Sequence, residues 1–345
     1  MHDAAVLIGR FQPVHNGHLA LLREALAHAR QVVVIVGSAF QARSPRNPFT
    51  WEERAQLLMT SVGDADAHRL TVLPVRDYYD EPHWAQAVRQ AVAAHTGVGA
   101  RIALVGHFKD ASSSYLDAFP GWELLRMPRQ GAMDSTTLRD AYFGATTATL
   151  AQVLASYANQ VPPATITLLT RLAAQPEYTA LQQEWRALAR YRASWAGAPY
   201  PPVFVTVDAL ICCRDQILLV RRGRAPGKGL WALPGGFLEP NDTLWQSCLR
   251  ELAEETGYAP PPALLQAALR GVRVFDHPHR SQRGRTITHV HHFELPDAAP
   301  PPVTGGDDAA GAQWLPIGAL PGMETAFFED HFHIVDAMLH LIPQP

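Results

Sequence analysis

Two histidines near the amino terminus stand where a strand pattern gives way to a helix pattern. His15 and His18 follow the apolar run Ala4–Ile8, and the helix pattern begins near Gly17. A helix start presents free backbone N–H groups and the positive end of the helix dipole, which together favour phosphate. Two imidazoles at that place suit the stabilisation of charge on a transferring phosphoryl group. The alternative interpretation is a pair of loop histidines with satisfied hydrogen bonds.

A second helix start, much later in the chain, carries hydroxyl groups and a guanidinium. Ser135 and Thr136 open this helix pattern, and Arg139 follows one turn later. The positive end of such a helix again favours an anion. We expect Arg139 to direct its guanidinium at the same anion as the two histidines. A simple helix cap with a solvent-exposed arginine is the alternative.

Three glutamates lie on one face of a helix predicted over Thr243–Thr256. Glu251, Glu254 and Glu255 are spaced i, i+3 and i+4, so their like charges repel unless a cation is bound. Hard oxygen ligands suit Mg²⁺ or Mn²⁺, which bind diphosphate oxygens and lower the pKa of a coordinated water. The carbonyl of Gly236, in a tight glycine loop, can reach the same metal. The alternative is an exposed acidic helix face.

The two phosphate-binding elements resemble the His-x-Gly-His and Ser-Thr-x-x-Arg motifs of nucleotidyltransferases. The match is closer to nicotinamide mononucleotide (NMN) adenylyltransferases of the archaeal-like type. Other segments that carry it are Gly9-Arg10-Phe11-Gln12-Pro13, Arg46-Asn47-Pro48-Phe49-Thr50 with Glu53-Arg54, Trp84 and Gly106-His107-Phe108-Lys109-Asp110. The resemblance implies a Rossmann-like α/β domain in which the NMN phosphate attacks the α-phosphorus of ATP. NAD and pyrophosphate are the products, and Mg²⁺ is the cofactor.

The same resemblance implies roles for single residues. The two histidines would contact the ATP phosphates, and Arg139 the leaving pyrophosphate. Arg10 and Arg46 would neutralise bound phosphates. Trp84 is a stacking surface for nicotinamide or, equally well, a tryptophan that packs against its own helix. The remaining residues that the motifs place around the nucleotides are Gly9, Phe11, Gly106, Lys109, Ser135 and Thr136.

The glutamate helix and its flanks resemble the Nudix box, Gly-x5-Glu-x7-Arg-Glu-U-x-Glu-Glu-x-Gly-U, in which U is a bulky apolar residue. Here the box runs from Gly236 through Arg250 to Tyr258, with Asp242 at the position of the first Glu. The resemblance implies an αβα sandwich that hydrolyses a nucleoside diphosphate linked to another moiety. We expect Asp242 to act at the edge of the metal cluster, through a water or at the start of the helix, where a carboxylate is favoured.

The basic run Arg280–Thr286 looks like Nudix domains that act on ADP-ribose. Arg283 and Arg285 are its candidates for binding substrate phosphate, and a solvated basic loop is the alternative. Together the two motif sets resemble bifunctional NMN adenylyltransferase/Nudix hydrolase proteins along almost the whole chain. Such a protein makes NAD with one domain and cleaves ADP-ribose to AMP and ribose 5-phosphate with the other.

Several functional alternatives stay open at the level of sequence. The Nudix domain could act on another nucleoside diphosphate such as NADH, because the box does not determine the substrate. It could instead be a ligand-sensing module without turnover, although the intact glutamate triad argues against this. The first domain could use NMN or its deamidated acid. A transcriptional regulator is disfavoured, since no basic recognition helix is evident.

Strands that alternate with helices over the first 140 residues indicate βαβ units and a mostly parallel sheet. The predicted strands are Ala4–Ile8, Val32–Val36, Leu70–Val75 and Arg101–Val105. Residues 146–196 have a helical pattern, and the proline-rich Ala198–Pro202 then interrupts the chain. We therefore predict a nucleotidyltransferase domain over residues 1–196, a linker over 197–202 and a Nudix domain over 203–345.

The second half has an α+β pattern with a mixed sheet. Its predicted strands include Val203–Cys213, Gln216–Arg221 and Thr286–Leu295, the first two joined by a two-residue turn. The last of these strands carries His289, His291 and His292. Alternation places the first two on one face and His292 on the other. With no third ligand apparent, packing or substrate contact is favoured over a structural metal.

The overall composition excludes several functional classes. Apolar residues make up 47% and charged residues 18% of the chain, and 29 basic and 32 acidic residues leave a net charge of −3. This balance gives no reason to expect nucleic acid or anionic lipid as a partner. Three cysteines exclude a disulfide scaffold, and neither a membrane span nor a signal peptide is visible. We expect a cytoplasmic enzyme whose partners are ATP, NMN and ADP-ribose; a homo-oligomer stays open.

Overall fold

The computed structural model describes residues 1–97, 99–106, 118–128, 133–296 and 298–343. The chain divides into an N-terminal unit, Met1–Trp185, and a C-terminal unit, Arg186–Gln344. Among the described residues, no helix combines the length and the apolar composition needed to cross a membrane.

A parallel sheet with helices on both faces forms the N-terminal unit. Within the described residues its five strands are ordered β3-β2-β1-β4-β5, and every neighbouring pair is parallel. The strands are β1 (His2–Gly9), β2 (Ala29–Val36), β3 (Leu70–Pro74), β4 (Ile102–Gly106) and β5 (Glu123–Arg126). The helices are α1 (Asn16–His28), α2 (Trp51–Val62), α3 (Asp64–Ala67), α4 (Glu81–Thr96), α5 (Ser135–Gly144), α6 (Leu150–Tyr157), α7 (Pro163–Ala173) and α8 (Pro176–Ser194). The predicted Rossmann-like α/β class is confirmed.

The strand order places a ligand crevice beside β1. The chain adds β2 and β3 on one side of β1, then crosses to add β4 and β5 on the other. In open α/β sheets, ligands bind outside the carboxyl ends of the strands at such a reversal. Gly9 ends β1 and Gly106 ends β4, and the Gly9 carbonyl accepts a hydrogen bond from the Gly37 amide at 3.0 Å. The two glycines that the sequence motifs contain therefore lie at the carboxyl edge of the sheet.

The capping box predicted for α2 is present. The Thr50 hydroxyl accepts from the Glu53 amide at 3.3 Å, and the Glu53 carboxylate accepts from the Thr50 amide at 2.9 Å. Arg43 adds two hydrogen bonds to the same carboxylate, at 2.8 and 3.0 Å. The helix start is thereby fixed to the loop that carries Arg46.

A mixed sheet sandwiched between helices forms the C-terminal unit. Its main path is β10-β11-β6-β7-β12, with β8 on β7 and β9 on β6; β6 and β11 are parallel and the other described pairs are antiparallel. The strands are β6 (Val203–Cys213), β7 (Gln216–Arg222), β8 (Trp231–Ala232), β9 (Gly235–Phe237), β10 (Leu269–Phe275), β11 (Arg285–Leu295) and β12 (Ala309–Pro316). The helices are α9 (Leu244–Thr256), α10 (Pro262–Ala268) and α11 (His331–Leu339), with a 3₁₀ segment over Ile317–Ala326.

Alternate residues of β6 divide between two cores, one on each face of this sheet. Ile211 belongs to the core that includes Leu252 of α9. Leu210 belongs to the core that includes Val335 of α11. This is the arrangement that a strand buried on both faces produces. The predicted αβα sandwich with a mixed sheet is confirmed.

The end of α8 belongs to the C-terminal unit because it packs there. The Tyr191 ring lies 5.6 Å from the Phe204 ring and 6.4 Å from the Phe237 ring, and the Trp195 ring lies 5.3 Å from Phe204. The division between the units therefore falls inside α8, earlier in the chain than the predicted linker.

The segment after α8 is the expected site of limited proteolysis. Residues 192–201 are all exposed, and Tyr200 has 81% of its surface in contact with solvent. We expect trace protease to cut first within Ala198–Pro202 and to leave two folded fragments. Electrophoresis with amino-terminal sequencing of the fragments tests this. A first cut inside Val203–Cys213, with Ala198–Pro202 intact, would contradict the predicted boundary.

Candidate active sites

His15 and His18 stack on each other at the start of α1. Their ring centroids are 3.7 Å apart and the ring planes are inclined by 24°. His15 is the cap residue, and its amide donates to Nδ1 of His18 at 3.2 Å. Because Nδ1 accepts this bond, the neutral His18 ring carries its proton on Nε2 and can donate from there. The structure thus brings the two histidines together in a state that suits phosphate.

The turn between β1 and α1 packs against this pair of histidines. Phe11 has a left-handed backbone with φ +52°, and its ring lies edge-on to His18 with centroids 4.9 Å apart. A Cβ on Gly9 would lie 2.9 Å from Cζ of Phe11, so only glycine leaves room for that ring. Phe11 is 2% exposed. It acts on the site through the His18 ring, and its direct contact with a nucleotide stays a prediction.

Arg139 ties the start of α5 to the turn that precedes His15. Its guanidinium donates to the Gln12 carbonyl at 2.6 Å and to the Thr136 hydroxyl at 3.1 Å. The Ser135 hydroxyl donates to the Pro13 carbonyl at 3.0 Å. The residues predicted from the two separate motifs are therefore neighbours. Arg139 is only 7% exposed, so the alternative of a solvent-exposed arginine is excluded.

Asp134, one residue before the hydroxyls, caps α5. Its carboxylate accepts from the Thr137 amide at 2.9 Å. A carboxylate is favoured at the positive end of a helix, and it leaves the Ser135 and Thr136 hydroxyls to other partners. The first turn of α5 accordingly serves to hold Arg139 as much as to offer N–H groups to an anion.

Three guanidinium groups concentrate positive charge around this edge of the sheet. Burial is the main cause that lowers the pKa of Arg139 to about 10, and the charges of Arg10 and Arg46 lower it further. Like charges so close together are stabilised by an anion, and a polyphosphate supplies several negative oxygens. Arg10 is exposed and Arg46 half-buried, so both are accessible to such a ligand.

Arg54 belongs to a segment that carries the resemblance to NMN adenylyltransferases, but no role in this site follows from the motif itself. It is completely buried and donates to the carbonyls of Arg10, Gly37 and Ser38 at 2.7, 2.8 and 3.1 Å. It therefore fixes the loops that follow β1 and β2. No local signal distinguishes it from a solvated arginine on an amphipathic helix, because its partners come from distant segments.

Three further residues were predicted to lie around the nucleotides, and the structure describes two of them. Trp84 is half-buried on α4 and packs edge-on against Phe119 with centroids 5.9 Å apart; its stacking on nicotinamide stays a prediction. Gly106 ends β4, and its carbonyl accepts from the Met127 amide at 2.8 Å. Lys109 lies outside the described residues.

In the C-terminal unit, two glycines bring the loop before α9 against the glutamate helix. β9 pairs with β6, so that Gly235 stands opposite Asp208 and Gly236 opposite Val207. A Cβ on Gly236 would lie 2.3 Å from Oε1 of Glu251, and one on Gly235 would lie 2.3 Å from the Val207 carbonyl oxygen. A side chain is therefore excluded at both positions, and the loop backbone lies directly beside the predicted metal ligands.

Arg250 holds the acidic side chains of this site together. It contacts Glu251 at 3.0 Å, Glu254 at 2.8 Å and Asp242 at 3.4 Å. The Asp242 carboxylate also accepts from the Ser247 hydroxyl at 3.0 Å. Asp242 thus stands at the edge of the cluster as expected, but through Arg250 and Ser247 rather than through the backbone at the start of α9.

Glu255 is buried beside a second carboxyl group. It is 5% exposed and accepts from the Gly235 amide at 2.8 Å. Burial is the main cause that raises its pKa to about 9; the amide bond opposes this, and a hydrogen bond with Asp308 and the charge of Glu251 add to it. Burial also raises the pKa of Glu251, against the charge of Arg250. Such crowded carboxyl groups favour a cation that replaces their protons.

The donor set fits a hard divalent cation. Glu251 and Glu255 are buried, the Glu254 side chain is 45% exposed, and all three are within one helical turn and a half. The site offers carboxylate oxygens and the backbone at Gly236, where a Cβ would fill the space. Mg²⁺ and Mn²⁺ prefer such ligands. We therefore expect these residues to hold the metal.

Asp308 also belongs to this site, because it shares a hydrogen bond with Glu255, although no sequence motif indicates it. Its carbonyl accepts from the Gly223 amide at 2.7 Å, and the nearby Gly306 amide donates to the Glu255 carbonyl at 3.1 Å. The loop is thus fastened to the end of α9. The sequence shows only a glycine turn followed by two aspartates, and no spacing relates it to the glutamate helix.

The two arginines predicted to bind phosphate contact different segments of the C-terminal unit. The Arg283 guanidinium lies 5.0 Å from the Phe237 ring centroid, beside the Nudix loop. Arg285 donates to the Asp276 carbonyl, and its guanidinium is 3.8 Å from the Asp276 carboxylate. The structure therefore places Arg283 beside β9 and Arg285 beside Asp276, and the phosphate contacts of both stay predictions.

A buried ion pair fixes the loop that carries Arg283. Arg280 donates to Asp330 through two nitrogens, at 2.8 and 3.0 Å, and the two side chains are 6% and 3% exposed. Glu329 accepts from the Ser281 hydroxyl at 3.1 Å and from the Gln282 amide at 2.7 Å. Bidentate pairing of this kind restricts geometry, so the loop presents Arg283 from a fixed base.

Replacement of Asp242 by glutamate is expected to have a small effect. Asp242 reaches the cluster through Arg250, and Asp242→Glu keeps the charge that this arginine needs. We expect kcat/KM for ADP-ribose at saturating Mg²⁺ to stay within about tenfold of the wild type, a change below about 1.4 kcal/mol in barrier height. A wild type inactive on every diphosphate, with turnover restored by Asp242→Glu, would contradict this and favour a binding module.

Comparison with known proteins identifies relatives of both units. A model of the Cytidylyltransferase-like family matches residues 6–109, and a model of the NUDIX domain family matches residues 202–338. A nicotinamide/nicotinic acid mononucleotide adenylyltransferase of Acinetobacter baylyi is 34% identical over 186 residues, which are 54% of this chain and 94% of that protein. An ADP-ribose pyrophosphatase of Methanocaldococcus jannaschii is 37% identical over 131 residues, 38% of this chain and 70% of that protein.

A solved structure matches the whole chain. It is a bifunctional NMN adenylyltransferase/ADP ribose pyrophosphatase from Francisella tularensis, complexed with AMP and a manganese ion. The two proteins are 34% identical, the match covers 99% of each chain, and the TM-score is 0.89. The order and the fold of both units are therefore shared.

Proposed function

The chain belongs to the family of bifunctional NMN adenylyltransferase/ADP-ribose pyrophosphatase proteins, and we propose that each of its two units carries one of these activities. The N-terminal unit joins ATP and NMN to give NAD and pyrophosphate. The C-terminal unit hydrolyses ADP-ribose to AMP and ribose 5-phosphate with Mg²⁺ or Mn²⁺. The observation that carries the proposal is that each unit brings phosphate-handling groups together from its own residues, His15, His18 and Arg139 in one and the glutamates of α9 in the other.

In the N-terminal unit, the NMN phosphate oxygen forms a bond to the α-phosphorus of ATP as the bond to the β-phosphate oxygen breaks. The nucleophile is already an anion, so the protein contributes position and charge stabilisation rather than a base. Nε2 of His18 donates to the phosphate, and His15 orients that ring. Arg139, with Arg10 and Arg46, stabilises the negative charge that passes to pyrophosphate.

In the C-terminal unit, water adds across the diphosphate bridge, and one P–O bond forms as another breaks. Glu251, Glu254 and Glu255 would hold a divalent metal, which would lower the pKa of this water and draw charge from the phosphate oxygens. Arg250 keeps two of these carboxylates in position. Arg283 neutralises charge on the diphosphate.

Two separate incubations test the proposal. The first contains the protein, ATP, Mg²⁺ and either NMN or its deamidated acid; the second contains ADP-ribose or NADH with Mg²⁺ or Mn²⁺. We expect NAD and pyrophosphate in the first, and AMP with ribose 5-phosphate in the second. Binding of ADP-ribose without turnover would replace the hydrolase assignment with a sensing module. Cleavage of NADH in preference to ADP-ribose would change the substrate.

A further inference from the structure

Three side chains with metal-ligand chemistry meet on the face of the C-terminal sheet that lies opposite α9. β11 pairs in parallel with β6, so that Glu294 stands beside Cys212 and His292 beside Leu210. All three ligating side chains belong to the face that packs toward α11, since Cys212 lies in the core with Val335. One ligand atom of each residue lies within 4.8 Å of the others.

One nitrogen of this group is buried without a hydrogen-bond partner. Cys212 is 1% exposed. Nε2 of His292 is buried without a hydrogen bond, although the His292 side chain as a whole is 17% exposed. That atom is 3.7 Å from Oε2 of Glu294, too long for a hydrogen bond. A buried polar atom with no partner costs free energy unless something else satisfies it.

We propose that Cys212, His292 and Glu294 bind a borderline divalent cation of the Zn²⁺ class. Thiolate, imidazole and carboxylate together select such ions over Mg²⁺, which prefers oxygen ligands alone. Bond lengths of about 2.0–2.3 Å at tetrahedral angles separate ligand atoms by roughly 3.3–3.6 Å. The three ligand atoms lie within 4.8 Å of one another, with Nε2 of His292 3.7 Å from Oε2 of Glu294, so side-chain rotation closes the remaining gap.

The protonation states of the ligands are compatible with this proposal. Burial, and to a lesser degree the charge of Arg270, lower the pKa of His292 against the opposing effect of Glu294, so the imidazole is neutral. Burial is the main cause that raises the pKa of Cys212 to about 12. Formation of the metal–sulfur bond therefore releases one proton from this thiol to solvent, and no electron is transferred. Glu294, 38% exposed, leaves room for water as a fourth ligand.

Cobalt titration of the full-length protein tests the proposal. After removal of bound metals with a chelator, Co²⁺ is added in the presence of excess Mg²⁺, which occupies the oxygen ligands of the Nudix helix. We expect a thiolate-to-Co²⁺ charge-transfer band that saturates at one ion per chain and is displaced by Zn²⁺. The carboxylates of the hydrolase site cannot give this band because they contain no sulfur.

Variants of the three cysteines make the assignment specific. Cys212→Ser should abolish the band, whereas Cys213→Ser, a neighbour on the opposite face, and Cys248→Ser should retain it. His292→Gln keeps the thiol and should weaken Zn²⁺ binding at least tenfold, measured against a chromophoric chelator. The proposal fails if the wild type gives no band, if the band survives Cys212→Ser, or if His292→Gln binds Zn²⁺ as the wild type does.

Discussion

Replacement of His18 by alanine is expected to lower NAD synthesis by on the order of 100- to 1000-fold. Nδ1 of His18 accepts a hydrogen bond from the His15 amide at 3.2 Å, which places the ring proton on Nε2, and alanine removes this oriented donor. The loss is one of charge stabilisation in the transition state, so we expect it chiefly in kcat. Initial rates of NAD formation at saturating ATP and NMN measure the effect.

The C-terminal unit is the internal control for this experiment. Its ADP-ribose hydrolysis should be unchanged in His18→Ala, and an unchanged circular dichroism spectrum shows that the N-terminal unit is folded as well. His28→Ala removes an exposed imidazole from the last residue of the same helix and should leave NAD synthesis at the wild-type rate. Near-normal NAD synthesis by His18→Ala would disprove the role of His18.

The elements that the sequence predicts best are those whose signals are local. Thr50 and Glu53 form the expected capping box, and the strand Val203–Cys213 has the predicted bounds. The glutamates of α9 share the helix face that their spacing predicts. In each case the residues that decide the structure are within a few positions of one another.

The features that the sequence could not predict depend on distant segments. β5 is missed because its four residues begin and end on charged side chains and its place is set by pairing with β4. Arg54 and Asp308 gain their roles from loops far along the chain. Cys212 comes to lie beside Glu294 only through the parallel pairing of β6 with β11, which no local signal in the sequence reveals.

Replacement of Glu255 by glutamine is expected to reduce ADP-ribose hydrolysis by at least about a hundredfold, since loss of even a residue behind a metal ligand costs 10–100-fold. Glutamine keeps an oxygen that can accept from the Gly235 amide but removes the charge that holds the cation. NAD synthesis should stay at the wild-type rate. Asp215→Asn, which removes an exposed carboxylate from the β6–β7 turn, is the matched control and should hydrolyse ADP-ribose normally.

The pH dependence of stability gives a second measurement on the same variant, independent of activity. In the metal-free protein the pKa of Glu255 is raised from 4.5 to about 9. The contribution of this carboxyl group to the free energy of unfolding is therefore full below the unfolded-state pKa and is lost as pH rises through the folded-state pKa. Glutamine does not titrate. With chelator present, the unfolding temperature of Glu255→Gln should therefore fall less than that of the wild type as pH rises from 4.5 to about 9. Equal changes of unfolding temperature with pH in the two proteins would contradict the burial of Glu255. Hydrolysis at the wild-type rate would contradict its role in holding the metal.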